Sequence, residues 1–341
     1  MTHDDARPFT RKRLFMRLFI DLCLVGGLSA AFAAEELLMY AIVQQQDAEL
    51  IAEAFTEETG IDVQLIRGSG GEIVSRVIAE GGAPRADVVL GGASSLHISM
   101  AAEGVLDSYI PEADDYLLEG AIDPDGYWSG FYLTALGIGV NQDRFEQQFG
   151  DRPLPETWED LADPDFAGEI VMTDPVASST SYLFVQTQLQ RLGWDDGWDY
   201  LADIAPLVGQ FPTSGSAPPR MVGTGEYIFG VAFVHSLSRT IEQGFPVSLI
   251  VPPGTGGEVG AVSIIADGPN PEVARQFVEF MQSPKAQQLY AEQALATPLH
   301  PEVELPEAAV ARDAIDMIEY DAALAGEQRD ETLQRWSDLV D

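Results

Sequence analysis

Short polar segments of the chain carry residue types that could bind a small solute. Gln44 begins a run of three glutamines, whose amides both donate and accept hydrogen bonds. Residues 68–71 read Gly-Ser-Gly-Gly and stand between a strand-like and a helix-like segment. Backbone N–H groups at a helix N-terminus bind anions, and glycine allows a close approach. We therefore predict anion contacts from Ser69 and Gly70, with a plain helix cap as the structural alternative.

A second group of hydroxyl residues begins another predicted helix. Residues 177–181 read Ala-Ser-Ser-Thr-Ser, and capping alone would need only one such side chain. We predict that Ser178, Ser179 and Thr180 contact the same solute. Ser214 belongs to a similar cluster, Thr-Ser-Gly-Ser, at residues 213–216.

Three further residues could contact polar groups beyond the anion. His235 and Ser236 follow an apolar strand-like segment, and Glu258 lies in the next glycine-rich stretch. For His235 the alternative is a packed, hydrogen-bonded side chain without a ligand. Trp128 and Tyr132 could stack on a solute, although packing is the commoner role of such aromatic side chains.

The elements that must position these residues alternate between strands and helices, which indicates an α/β protein. Residues 37–102 have a βαβαβα pattern, typical of a doubly wound sheet. Residues 130–140 form a long strand that could pass between two lobes. The other predicted strands are 168–172, 228–233, 247–251 and 260–266, and the later helices are 181–192, 272–281, 284–293 and a polar helical tail from 306 to 341.

Composition restricts the class of protein. With 341 residues, the chain is long enough for two lobes with separate cores. It has 18 basic against 55 acidic residues, a net charge of −37, and this excludes nucleic acid and anionic lipid as main partners. We interpret the acidity as solubility in a salty, halophilic or marine setting, with a functional acidic surface as the alternative.

The N-terminus has the pattern of an export signal. Four basic residues between positions 11 and 17 precede an apolar stretch that ends in Ala-Phe-Ala at 31–33. This predicts a cleaved signal peptide, residues 1–33, with cleavage before Ala34; an uncleaved anchor is the alternative. Export through the Sec or the twin-arginine route stays open. The one cysteine, Cys23, would be removed, so no disulfide is predicted.

Motifs along the mature chain resemble one family. Residues 84–89 read Pro-Arg-Ala-Asp-Val-Val, residues 155–161 read Pro-Glu-Thr-Trp-Glu-Asp-Leu, and residues 269–274 read Pro-Asn-Pro-Glu-Val-Ala. In order and spacing they are similar to type II periplasmic binding proteins, in the branch of ferric-iron, phosphonate and hexose-phosphate receptors. The resemblance implies two doubly wound α/β lobes joined by hinge strands. The expected boundaries are 34–135 for lobe 1, 136–255 for lobe 2, and 256–341 for the return to lobe 1 with the C-terminal helices.

The resemblance also implies a function. The chain would be a monomeric periplasmic receptor that delivers a small anionic solute, an organophosphate or phosphonate, to an ABC permease in the inner membrane, without a cofactor. In hexose-phosphate members, a histidine and a glutamate at the positions of His235 and Glu258 contact sugar hydroxyls. Ferric iron is the alternative solute, although the paired tyrosines of the iron-binding members have no counterpart here. A sensory role with a membrane receptor kinase also stays open.

Catalysis is the competing class. The chain has no Walker loop, no His-Glu-x-x-His and no Gly-x-Ser-x-Gly motif, and only four histidines. We therefore predict no enzymatic activity and no metal ligands, and keep a secreted enzyme on the same fold as a remote alternative.

Overall fold

The computed structural model describes residues 36–112 and 120–340. The predicted signal peptide, Cys23 and the cleavage site lie outside the described residues. The described strands are β1 Glu36–Ala41, β2 Asp62–Arg67, β3 Val88–Ala93, β4 Leu106–Asp107, β5 Ser129–Asn141, β6 Ile170–Val171, β7 Val208–Gln210, β8 Phe229–Phe233, β9 Val247–Ile250, β10 Gly257–Ile265 and β11 Thr297–Pro298. The described helices are α1 Gln45–Thr59, α2 Gly70–Glu80, α3 Ser94–Ala102, α4 Gln142–Phe149, α5 Trp158–Leu161, α6 Ser179–Leu192, α7 Trp194–Ile204, α8 Ala217–Gly223, α9 Val234–Glu242, α10 Pro271–Gln282, α11 Pro284–Ala294, α12 Ala322–Glu327 and α13 Arg329–Val340.

The first lobe is built on a mixed sheet with the order β2-β1-β3-β10-β5, with β4 and β11 at its margins. Strands β1, β2 and β3 pair in parallel, whereas β10 runs antiparallel to both β3 and β5. Strand β3 is buried along its whole length, as its apolar sequence Val-Val-Leu-Gly-Gly-Ala requires when helices cover both faces. The core on one face includes Phe55, Phe131 and Phe277.

The second lobe is built on β5-β8-β6-β7, with β9 also paired to β5. Its core contains Trp158, Phe166 and Phe229. The 13-residue strand β5 belongs to both sheets: Ser129 to Ala135 pair with β10, and Leu136 to Val140 pair with β8. The predicted doubly wound, two-lobed α/β fold is confirmed, and β5 is the strand that passes from one lobe to the other.

The C-terminal region corrects one prediction. The predicted polar helical tail from 306 to 341 is helical only in α12 and α13, whereas residues 306–321 are irregular apart from a short 3-10 turn. Trp336 of helix α13 is 2% exposed and packs in the second-lobe core. Helix α12 lies against α3 of the first lobe, where Gly326 leaves room for Ile98. The tail therefore packs on both lobes.

None of the helices within residues 36–112 and 120–340 combines the length and apolarity needed to cross a bilayer.

Candidate functional site

A cavity of about 60 Å³ lies in the cleft between the two lobes. Its first-lobe wall comes from the ends of β1 and β2 and from the start of α1 and α2. Its second-lobe wall comes from the starts of α6 and α9 and the loop before α8. Eight of the ten predicted site residues line it: Gln44, Ser69, Gly70, Ser178, Ser179, Thr180, His235 and Ser236.

Two helix N-termini meet at this cavity, one from each lobe. The backbone N–H of Gly71, in the first turn of α2, donates to the carbonyl of Ala177, just before α6, at 3.0 Å. A Cβ on Gly71 would stand 2.7 Å from the carbonyl oxygen of Val176, so only glycine permits this contact. The positive ends of both helix dipoles therefore face the same small space, which favours an anion there.

Both hydroxyl clusters also have local structural roles. Ser69 forms a capping box with Glu72: its N–H donates to the Glu72 carboxylate at 2.7 Å, and its hydroxyl accepts from the Glu72 N–H at 3.4 Å. Ser178 caps α6 by accepting from the N–H of Thr180 at 3.3 Å. Capping and solute contact are compatible, because each hydroxyl lines the cavity while it caps its helix.

Arg67, the last residue of β2, supplies a cation to the cavity. Its guanidinium makes two long hydrogen bonds, to the Val43 carbonyl at 3.4 Å and across the cleft to the Ser214 hydroxyl at 3.3 Å. Among the described residues no carboxylate lies within salt-bridge distance of it. Its donors can therefore turn to an anion at little cost. An open groove shares Gln44, Arg67 and Ser216 with the cavity and also contains Glu49.

A buried ion pair lies at the inner end of the cavity. Arg239 of α9 contacts Asp47 of α1 at 2.8 Å, with side chains 9% and 3% exposed. Burial raises the pKa of the Asp47 carboxyl, and the Arg239 charge opposes that rise. This pair joins residues that are 192 positions apart. It is a direct ionic contact between the two lobes.

Aromatic rings cover the wall next to this pair. The rings of Tyr132 and Tyr290 lie 4.7 Å apart, and His235 stacks on Phe233 at 5.5 Å. Burial raises the pKa of Tyr132 to about 12, so its phenol stays neutral. Gly260 lies under the Tyr132 ring, where a Cβ would be 1.9 Å from a ring carbon.

His235 lies in the first turn of α9, after β8, and faces the cavity. Burial, with a smaller contribution from the Arg239 charge, lowers its pKa to about 3. The ring is therefore neutral at physiological pH. Its Nδ1 is buried and has no hydrogen-bond partner among the described residues, which leaves this atom for a solute.

Two predicted residues lie away from the cavity. Ser214 does not line it but supports it, through hydrogen bonds to Arg67 and to Ser216 at 3.0 Å. Glu258, predicted in a loop at the cleft, does not line the cavity. Its carboxylate faces the N-terminus of α3, where it accepts hydrogen bonds from Ser94 Oγ at 3.0 Å and from the Ser95 N–H at 2.7 Å. The glycine-rich loop ends earlier than expected, so Glu258 is inside β10 and its side chain points to α3.

Sequence reasoning missed Arg67, Asp47, Arg239 and Tyr290 as site residues. A usable signal existed for Arg67, because the chain has only 18 basic residues and this one ends a strand directly before Gly-Ser-Gly-Gly. Asp47 and Arg239 gave no local signal, since only the fold brings them together. Within residues 36–112 and 120–340, no group of three or more His, Cys, Asp or Glu side chains could hold a metal ion.

The fold and the site define a two-lobed protein that encloses a small solute between its lobes. Residues 83–323 match the family described as bacterial extracellular solute-binding proteins, and the chain belongs to that family. A Haemophilus influenzae protein of uncharacterized function is 30% identical over 325 residues, which are 92% of this chain and 94% of that protein.

Two further comparisons bear on the solute. The structure of AfuA from Actinobacillus pleuropneumoniae, described with exogenous fructose-6-phosphate bound, has a TM-score of 0.87 and 30% identity, and the match covers 90% of this chain and 98% of that one. Iron uptake protein A1 of Synechocystis is 28% identical, with 72% of this chain and 70% of that protein covered. The chain is thus similar both to a sugar-phosphate-bound protein and to an iron uptake protein.

Proposed function

We propose that this protein is the periplasmic receptor of an ABC importer and captures a small organophosphate or phosphonate between its lobes. The observation that carries the proposal is the meeting of two helix N-termini and Arg67 at one cavity. An anion there would accept hydrogen bonds from both lobes, so it would bind the closed state more tightly than the open one. Closure around the solute would then give a permease in the inner membrane a surface that differs from that of the empty receptor.

The organic part of the solute would lie toward His235 and the aromatic wall. His235 offers the neutral Nδ1, and Ser236 and Gln44 offer further polar groups. This arrangement suits a hydroxylated organic group, as in the fructose-6-phosphate of the AfuA structure. We further propose that residues 1–33 are a cleaved signal peptide and that the acidic surface is an adaptation to salt.

Ferric iron is the second candidate, because a relative is named an iron uptake protein. The charges oppose it: Arg67 lines the cavity, and the carboxylate of Asp47 already contacts Arg239. Fe³⁺ prefers anionic oxygen ligands, and Asp47 is the one carboxylate among the described residues that line the cavity. The cavity therefore favours an anion over a trivalent cation.

The test is a thermal-shift series on the protein from Ala34 onward, in high salt. Fructose 6-phosphate is compared with fructose, the matched compound without phosphate, alongside inorganic phosphate, 2-hydroxyethylphosphonate and ferric citrate. A ligand at 100 times its Kd stabilises the folded state by about 2.7 kcal/mol. We expect shifts with phosphorylated or phosphonylated compounds and none with fructose. Equal shifts with fructose, or a shift with ferric citrate alone, would overturn the proposed solute class.

A further inference from the structure

The ion pair at the inner end of the cavity decides which solutes the site can accept. Asp47 lines the cavity, and its carboxylate is the acidic group there that an ammonium group of a solute would seek. Arg239 already holds that carboxylate at 2.8 Å, and both side chains are buried. The Nε and Nη1 of Arg239 have no hydrogen-bond partner among the described residues, so these donors are not satisfied by the protein.

Among the described residues that line the cavity, Asp47 is the one carboxylate, so the other groups around this pair bring no negative charge. Arg67 carries a positive charge at the outer part of the cavity, and His235, Tyr132 and Tyr290 are neutral neighbours. Counting Arg67, Arg239 and Asp47, the cavity and its supporting pair carry one net positive charge. An ammonium group would therefore have to enter beside Arg239 without a free carboxylate to receive it, and such a like-charge contact is unfavourable in a poorly solvated site.

We propose that Arg239 is a specificity-determining residue, which by holding Asp47 restricts the site to phosphate esters and phosphonates whose organic part carries no positive charge. This inference rests on the proposed function and narrows it. Arg239 acts through Asp47 and need not touch the solute, so it is a positioning residue. The same pair connects α1 of the first lobe to α9 of the second, and the site is therefore selective in its closed form.

Two phosphonates test the proposal. 2-Hydroxyethylphosphonate and 2-aminoethylphosphonate have the same skeleton and differ in a hydroxyl against an ammonium group. By titration calorimetry, we expect the protein to bind the hydroxyl compound at least tenfold more tightly. In Arg239→Gln the carboxylate of Asp47 is released, so the ratio of the two affinities, hydroxyl compound over ammonium compound, should fall below one. In Asp47→Asn the charge of Arg239 is unopposed, so the ratio should rise above that of the unchanged protein.

Opposite shifts of the ratio in the two variants are the signature of a charge effect, because a merely structural role would weaken both ligands together. The double variant Asp47→Asn/Arg239→Gln keeps neither charge and should bind the ammonium compound no better than the unchanged protein does. Circular dichroism and thermal unfolding establish that each variant folds. If Arg239→Gln does not fold, the affinity ratios of the unchanged protein and of Asp47→Asn still test the inference.

Equal binding of the two phosphonates by the unchanged protein would overturn the inference, as would shifts of the ratio in the same direction in both single variants. Such results would leave the proposed function intact as long as phosphorylated compounds bind. Failure of fructose 6-phosphate, inorganic phosphate and both phosphonates to bind would instead refute the proposed function itself.

Discussion

Replacement of Arg67 by glutamine tests the anion site most directly. The residue lines the cavity, its two protein hydrogen bonds are 3.3 and 3.4 Å long, and no described carboxylate pairs with it. The substitution therefore removes little from the free protein. With a bound phosphate it removes a charge-assisted hydrogen bond, whose net value is about 1.5–3 kcal/mol. We expect Kd to rise roughly ten- to hundredfold, since about 1.4 kcal/mol corresponds to a factor of ten.

The assay is titration calorimetry with the tightest phosphorylated compound, at one fixed salt concentration. The matched control is Arg275→Gln on α10, which makes the same change in net charge but removes an exposed pair with Glu272 away from the cavity. Its Kd should stay within twofold, because distant surface charges are screened beyond about 8–10 Å. An unchanged Kd in Arg67→Gln, or an equal rise in both variants, would refute the assignment of Arg67 to the anion.

Two further predictions concern closure and pH. Gly71→Ala places a Cβ about 2.7 Å from the Val176 carbonyl oxygen, so it should hold the lobes apart and weaken solute binding about tenfold without a loss of thermal stability. The control, Gly82→Ala, has open space around it and should bind the solute normally. Equal affinities of the two variants would contradict the closed geometry. Burial lowers the pKa of His97 to about 4, below its unfolded value of 6.5, so its contribution to stability is complete above pH 6.5 and is lost as the pH falls toward 4. Between pH 7 and 5 this loss in the free energy of unfolding is roughly 2 kcal/mol. Urea unfolding at the two pH values should show a smaller loss in His97→Gln than in the unchanged protein. Equal losses in the two proteins would contradict the role of His97.

Much of the fold was predictable because strand and helix periods are strong along this chain. The strand predicted at 130–140 is observed at Ser129–Asn141, and the helix predicted at 181–192 is observed at Ser179–Leu192. The tail was not predictable in the same way. Its residues 306–321 are polar enough for a surface helix, but they form turns that are bonded to both lobes. Thr297 Oγ1 of β11 donates to the Val310 carbonyl, and Gln190 Nε2 of α6 donates to the Asp321 carbonyl. Such tertiary contacts outweigh weak local propensity.

For the site, local chemistry located the helix N-termini but not the charges between the lobes. Ser69 and Ser178 stand at positions that a sequence motif identifies, because capping is a local interaction. Asp47 and Arg239 meet only when α1 and α9 come together, and neither segment shows this by itself. The position predicted for Glu258 differs from the observed one because of strand register. Side chains alternate along a strand, so a β10 that begins at Gly257 directs Glu258 to α3.

The position of β10 also has a consequence for the order in which the protein is made. It lies between β3 and β5 in the first sheet, yet it is completed only at Ile265, long after both neighbours. During synthesis, the first lobe therefore lacks an interior strand of its sheet until most of the chain has emerged. Strands β6 to β9 of the second lobe occupy one continuous stretch before that point. We expect the sheet of the second lobe to form before that of the first, and the solute cavity to form last, because pairing that joins distant segments is slow.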